Sequence, residues 1–110
     1  MDIIRRFDMG NYLDRNARDS IDTCNICAIE CARCFSNMVG KECKNACPAC
    51  CIECAEICRL CADAIARTSP FAKQLGKLCA DICDWCATQC DAHAMDHCKR
   101  CAEACRKMVG

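Results

Sequence analysis

The chain has 110 residues, 18 of them cysteine, with only three Phe, one Trp and one Tyr. Fifteen basic and fifteen acidic residues cancel and are scattered along it. No basic stripe is left to neutralise phosphates, so nucleic acid is not an expected partner, and no stretch is long and apolar enough to span a membrane.

A chain of this length is expected to form one domain, over 1–110. So dense a cysteine content usually marks a secreted disulfide scaffold, but three features oppose that. The N-terminal MDIIRRFDMGNYLDRN lacks the apolar run of a signal peptide, which predicts a cytoplasmic protein. Disulfide scaffolds are rich in loops, and this chain has four Gly and two Pro. Cysteines three or four apart on a helix hold their Cβ atoms about 5–6 Å apart, beyond the roughly 3.8 Å of an unstrained bridge.

In chain order, residues 1–10 (MDIIRRFDMG) read as an amphipathic turn or a tail whose Ile3, Ile4 and Phe7 pack on the bundle or on another subunit. From Asn11, an N-cap candidate, Leu13, Ala17, Ile21 and Cys24 recur at helical spacing, and Cys27, Cys31 and Cys34 continue the line. The first helix is predicted over roughly 12–39, with Gly40 as C-cap. The second, over roughly 43–67, carries Cys43, Cys47, Cys50, Cys51, Cys54, Cys58 and Cys61. At roughly 100° per residue, those seven thiols fall within about 100° of one another. Proline deep inside a helix costs about 3 kcal/mol. Pro48 therefore either places the helix start near Asn45, with Cys43 in the preceding turn, or kinks the helix near Lys44, and the first reading is preferred. Thr68-Ser69-Pro70 ends this helix, with Ser69 as N-cap and Pro70 as first residue of the next. The third helix is predicted over roughly 70–91, its inner face made by Phe71, Leu75, Leu78, Cys79, Ile82, Cys83, Cys86 and Cys90. Asp91-Ala92-His93-Ala94 forms a turn, and the fourth and shortest helix, roughly 95–108, carries Cys98, Cys101 and Cys105.

An internal repeat ties the four helices together: CAIEC (27–31), CAEIC (54–58), CADIC (79–83) and CAEAC (101–105), one per helix. Short connections favour antiparallel neighbours. The predicted fold is all-α, an antiparallel up-down four-helix bundle with a cysteine-lined core. One end then holds most of the cysteines. The other gathers Leu13, Ala17, Ile65, Phe71 and Leu75 as an apolar half that holds the fold without metal.

A single buried cysteine is usually inert core filler, but leucine would pack better at each of these positions. Soft thiolate ligands select Cu(I), zinc and iron–sulfur clusters over hard cations. All 18 cysteines are therefore candidate metal ligands, and a bridging thiolate lets one stripe serve multiple Cu(I) ions. Zinc is the alternative, yet it wants four tetrahedral ligands, usually from CxxC pairs on turns. Here CNIC (24–27), CARC (31–34), CPAC (47–50) and CRLC (58–61) lie along rods. An iron–sulfur cluster is a further alternative; Cys47-Pro48 fits it, but no CxxCxxC run precedes. A thiol-redox enzyme needs one or two exposed, activated thiols, and these stripes single none out. His93, His97, Met38 and Met95 fall near the sulfur-rich end, as ligands that pass ions inward or as solvated cap residues. Met9 and Met108 read as end packing, Trp85 as an interface residue, and Glu53, Glu56, Asp63, Asp81 and Glu103 as a solvated face. No Ser/His/Asp set, phosphate loop or acid–base carboxylate pair is present, so no catalysis is expected.

The runs SPFAKQLGKLCADICDWCATQC (69–90), DAHAMDHCKRCAEACRKM (91–108) and CAEICRLCADAIARTSPF (54–71) resemble the cytosolic copper storage proteins. The resemblance extends over roughly Cys24 to Met108. It implies a tetramer of bundles, multiple Cu(I) ions inside each, and sequestration without catalysis. By the same resemblance, the ligands are the cysteines of helices two, three and four, with the histidines near the opening. This chain has no cysteine before Cys24, and its last helix is shorter than the family pattern.

Overall fold

Four helices follow one another: α1 (Arg15–Met38), α2 (Ala49–Ala66), α3 (Ala72–Asp91) and α4 (Asp96–Val109). They come from a computed structural model that describes residues 15–41, 43 and 45–109. Each helix packs on its chain neighbours, and α4 closes the ring against α1. The result is the antiparallel up-down bundle that the short connections predict. Among the described residues there is no strand, and no helix is long and apolar enough to cross a membrane.

Cysteine is only a middling helix former, so these helices depend on burying their stripes against one another. Every cysteine but Cys43 is buried, and the rest of the core is mostly alanine, with Met38 the largest fully buried side chain. Ala28, Ala55 and Ala102, each directly after the first cysteine of its repeat, are buried too. Their small side chains let the facing backbones approach and bring sulfur against sulfur. Among the described residues no charged or polar side chain is buried with them. Glu53, Glu56, Asp63, Asp81 and Glu103 are all exposed, as expected.

The helix ends differ from expectation in instructive ways. The α2 helix begins at Ala49, not near Asn45. Side chains take the backbone donors that a helix would need: Cys47 N–H donates to Asn45 Oδ1 at 3.0 Å, and Ala46 N–H to Gln89 Oε1 at 2.9 Å. Pro48 becomes the N-cap position, its carbonyl accepting from Cys51 N–H at 2.9 Å. Cys43 sits before the helix as predicted, and Cys47 joins it there. Ser69 does not cap α3 directly. Its Oγ accepts from Phe71 N–H and its carbonyl from Ala72 N–H, both at 3.1 Å, which builds one turn ahead of the helix. Gly40 does end α1 in the left-handed region, at φ 85°. Thr68 takes the same role after α2 at φ 55°, with Ser69 N–H reaching back to the Ala64 carbonyl at 2.9 Å.

The expected apolar half does not close. Phe71 is 62% exposed and Leu78 is exposed as well, while Ala17, Ile65 and Leu75 are only partly covered. Residue 78 lies one step, about 100°, around α3 from Cys79 and so faces outward. The readings made for residues 1–14, including Asn11 and Leu13, lie outside the described residues.

Candidate metal centre

The three-and-four spacing of the cysteines puts each helix's thiols on one line, and four such lines meet on the bundle axis. The consequence is a stack of mixed layers. Cys27, Cys54, Cys83 and Cys105 lie with their sulfurs within 4.8 Å of one another, one from each helix. Cys31, Cys54, Cys86 and Cys105 form a second such group, and Cys34, Cys51, Cys90 and Cys101 a third. Cys47, Cys50, Cys51 and Cys90 make a fourth toward the end where α1 hands over to α2. Successive groups share members: Cys54 and Cys105 serve two, as do Cys51 and Cys90.

The stack is continuous. From Cys79 the path steps to Cys58 at 3.7 Å, Cys83 at 3.8 Å and Cys54 at 3.4 Å. It goes on to Cys105 at 3.7 Å, Cys31 at 3.7 Å and Cys101 at 3.5 Å. Cys51 follows at 3.8 Å, with Cys47 at 3.8 Å and Cys90 at 3.5 Å beyond it. Cys86 joins at 3.9 Å from Cys101, and Cys50 at 3.9 Å from Cys51. At the far end Cys24 interacts with Cys79 and Cys61. All described cysteines are free thiols. Their sulfurs are nearly twice as far apart as the roughly 2.05 Å of a covalent bridge.

Both histidines join this sulfur at the α1–α2 and α3–α4 end. His97 Nδ1 lies 3.5 Å from Cys34 Sγ and 3.5 Å from Cys98 Sγ, a three-ligand group closed by the 3.7 Å Cys34–Cys98 contact. His97 Nε2 is buried with no hydrogen-bond partner. His93 Nε2 lies 3.3 Å from Cys43 Sγ and 3.1 Å from Asn45 Oδ1. Asn45 was not anticipated. Its Oδ1 also accepts from the Cys43 thiol at 2.9 Å, and its Nδ2 donates to the Gln89 carbonyl at 2.8 Å. The one sequence signal for it is an Asn two residues before a cysteine, the spacing of an Asx turn. Met38 is buried against the core and Met95 partly so, with Lys41 Nζ 3.9 Å from Met95 Sδ.

Electrostatics follow from dry surroundings and crowded sulfur. Burial, and after it the Cys34 thiol, pushes Cys98 up from 9.0 to about 12. Burial is also the first cause that raises Cys47 and Cys61. Inside the stack neighbouring thiols add to this: Cys31, beside Cys101 and Cys105, and Cys83, beside Cys105 and Cys27, are held above the ordinary thiol range. Burial, then the Lys41 cation, lowers His97 and keeps its imidazole neutral and able to ligate. The column therefore holds its protons until a cation displaces them.

The fold and the site together define a class: a four-helix bundle whose core is a column of thiols spaced for soft metal ions. The chain belongs to the copper storage protein family, whose model (Csp: Copper storage protein) matches residues 13–110. It is 36% identical over 95 residues to a Bacillus subtilis (strain 168) protein described as "Uncharacterized cysteine-rich protein YhjQ", a match covering 84% of this chain and 88% of that one. Among solved structures it is similar to the Cu(I)-bound copper storage protein BsCsp3, with TM-score 0.80 and 36% identity over 84% of this chain and 91% of that one. It is also similar to apo-Csp3 from Bacillus subtilis, with TM-score 0.76 and 36% identity over 86% and 99%.

Proposed function

We propose that this protein stores multiple Cu(I) ions along its thiol column and has no catalytic role. The observation that carries the reading is the sharing of thiols between successive four-sulfur groups. Isolated tetrahedral zinc ions, each needing four ligands of its own, could not fill neighbouring groups that share two sulfurs. Ions of low coordination number bridged by thiolates could. Among the described residues no charged side chain lies in the core, which supports the same reading and sets a ceiling. A monovalent cation in a dry core must be matched by an anion, and only thiolates are at hand. Neutrality then allows on the order of one Cu(I) per cysteine, with one proton released per ion.

The ligand set of this proposal is Cys24, Cys27, Cys31, Cys34, Cys43, Cys47, Cys50, Cys51, Cys54, Cys58, Cys61, Cys79, Cys83, Cys86, Cys90, Cys98, Cys101 and Cys105, with His93 and His97 where ions are handed in. Free thiols packed this closely suit a reducing, cytoplasmic compartment. A homo-oligomer is part of the proposal. Phe71, Leu75, Leu78, Ile82 and Trp85 repeat at steps of four, three, four and three along α3. This second apolar seam lies beside the cysteine line, and Phe71, Leu78 and Trp85 are exposed on it. Titrating Cu(I) into the reduced protein against a strong chromophoric chelator tests the function. Saturation at ten or more equivalents (on the order of the neutral ratio) is expected, and a stop at one or two would overturn it.

A further inference from the structure

At the end of the bundle remote from both histidines, a cavity of about 480 Å³ opens onto the last thiols of the column, Cys24 and Cys61. Two observations mark it as more than a gap. The first is Gly76, which lines it from within α3. A helix-interior glycine costs about 1 kcal/mol relative to alanine. Nothing in the fold requires this one, because a Cβ there would meet nothing within 4 Å and its φ is not left-handed. Among the described residues, what the missing side chain does is leave the mouth clear. The second is the chemistry of the wall. Asp19 and Lys107 bring opposite charges to the same cavity, and Ser20 adds a hydroxyl. Among the described residues neither charge has an ion-pair partner. The volume falls in the range of small-molecule sites, roughly 300–1,000 Å³.

We propose that this cavity is a second port, where a zwitterionic low-molecular-weight thiol docks and exchanges Cu(I) with Cys24 and Cys61. The port rests on the storage reading above. Lys107 receives the visitor's carboxylate, Asp19 its ammonium group, and the visiting sulfur reaches the metal held by the two cysteines. Two exchanges free the ion: in each, one Cu–S bond forms to an incoming sulfur as one to a protein sulfur breaks. In each, the proton of the incoming thiol passes to the departing protein thiolate, so the ion leaves as a two-thiolate complex and copper stays monovalent throughout. Cys24 and Cys61 adjoin Cys79, which touches Cys58 at 3.7 Å, so ions further in can move up as the outermost leave.

The test is Gly76→Phe, which fills the mouth and removes no thiol. Wild type and variant are loaded with Cu(I), their capacity is measured by chelator titration, and the rate of transfer to excess glutathione is followed. Equal capacities with a transfer rate at least tenfold slower in the variant are expected (order of magnitude for loss of a docked geometry). Equal capacities with equal rates overturn the port and leave the storage reading standing. A wild-type capacity of one or two ions overturns the storage reading itself. A copper-free measurement on the full-length apo protein stands independently of how the variant folds. S-methylglutathione should shift the amide resonances of Ser20 and Gly76, and Lys107→Glu should weaken that binding several-fold. Unshifted resonances in the wild type overturn the proposal.

Discussion

Cys54 is the position where packing and metal holding separate most sharply. Its sulfur lies 3.4 Å from Cys83, 3.7 Å from Cys105 and 3.9 Å from Cys27, and it belongs to two of the four-sulfur groups. Cys54→Ala removes one buried heavy atom. By analogy with Ile→Val, that costs the apo protein about 1 kcal/mol, or about 4–5 °C in Tm for a domain of this size. If the thiol were only filler, nothing else would change. As a bridge between two groups, its loss should remove about one to two Cu(I) equivalents, one for the missing charge and a second where the shared ligand closed the neighbouring group. Cys43→Ala is the control, since that thiol is half-buried and stands ahead of α2. It should cost little apo stability and at most about one equivalent. Scanning calorimetry of the reduced apo forms and chelator-competed Cu(I) titration give both numbers. A Cys54→Ala protein with a lowered apo Tm and an unchanged Cu(I) capacity would refute the bridging argument.

Alkali should destabilise the apo form. Cys98 rises from 9.0 to about 12 on folding, so between those values the unfolded chain has lost a proton that the folded chain keeps. Stability is full below pH 9 and falls as pH rises, by about 1.4 kcal/mol at pH 10 for this thiol alone; the Cu(I)-loaded form, already deprotonated, should show no such slope in thermal melts. Thr68→Gly should raise apo stability by about 1 kcal/mol and leave Cu(I) capacity unchanged, because an exposed β-branched residue now holds the left-handed position. A Tm that fails to rise in a thermal melt would count against the strained C-cap. His97→Leu should leave the apo Tm unchanged or higher, since it removes a buried Nε2 that has no partner. The same variant should weaken the site it shares with Cys34 and Cys98 and lose about one equivalent in a competition titration.

The sulfur column was legible because it is a matter of periodicity. Steps of three and four place Cys24, Cys27, Cys31 and Cys34 on one helix line in any context, and the four CAxxC repeats announce four equivalent rods. What periodicity alone could not resolve is which of two equally periodic stripes on α3 turns inward. Cys79, Cys83, Cys86 and Cys90 and the Phe71–Trp85 seam have the same spacing and differ by about 100° in phase. Read as one face they over-filled the core, and the structure puts Phe71 and Leu78 outside. The start of α2 was hidden for a different reason. It depends on Gln89, whose carbonyl accepts from Asn45 Nδ2 and whose Oε1 accepts from Ala46 N–H, 44 and 43 residues away in sequence, and no local pattern encodes such long-range contacts. Pro48 indicated the region of the boundary but not which neighbour would claim the freed donors.

A core made of thiols also explains how one backbone can serve both an empty and a filled state. In the apo protein each neutral thiol behaves as a small hydrophobe, and among the described residues no buried charge needs a partner. When Cu(I) replaces the thiol protons one for one, cation and thiolate cancel and the core stays neutral. Neither state asks the helices to move apart to admit water, and the sulfurs, already 3.4–4.0 Å from their neighbours, need only small rotations about χ1 to face a shared ion. The cost falls elsewhere. Cysteine and alanine bury less apolar area than leucine, so a bundle built this way has little stability in reserve. Part of that loss is made up beside the thiols, where Leu75 and Ile82 pack against the core, while Phe71, Leu78 and Trp85 stay exposed on the same helix side.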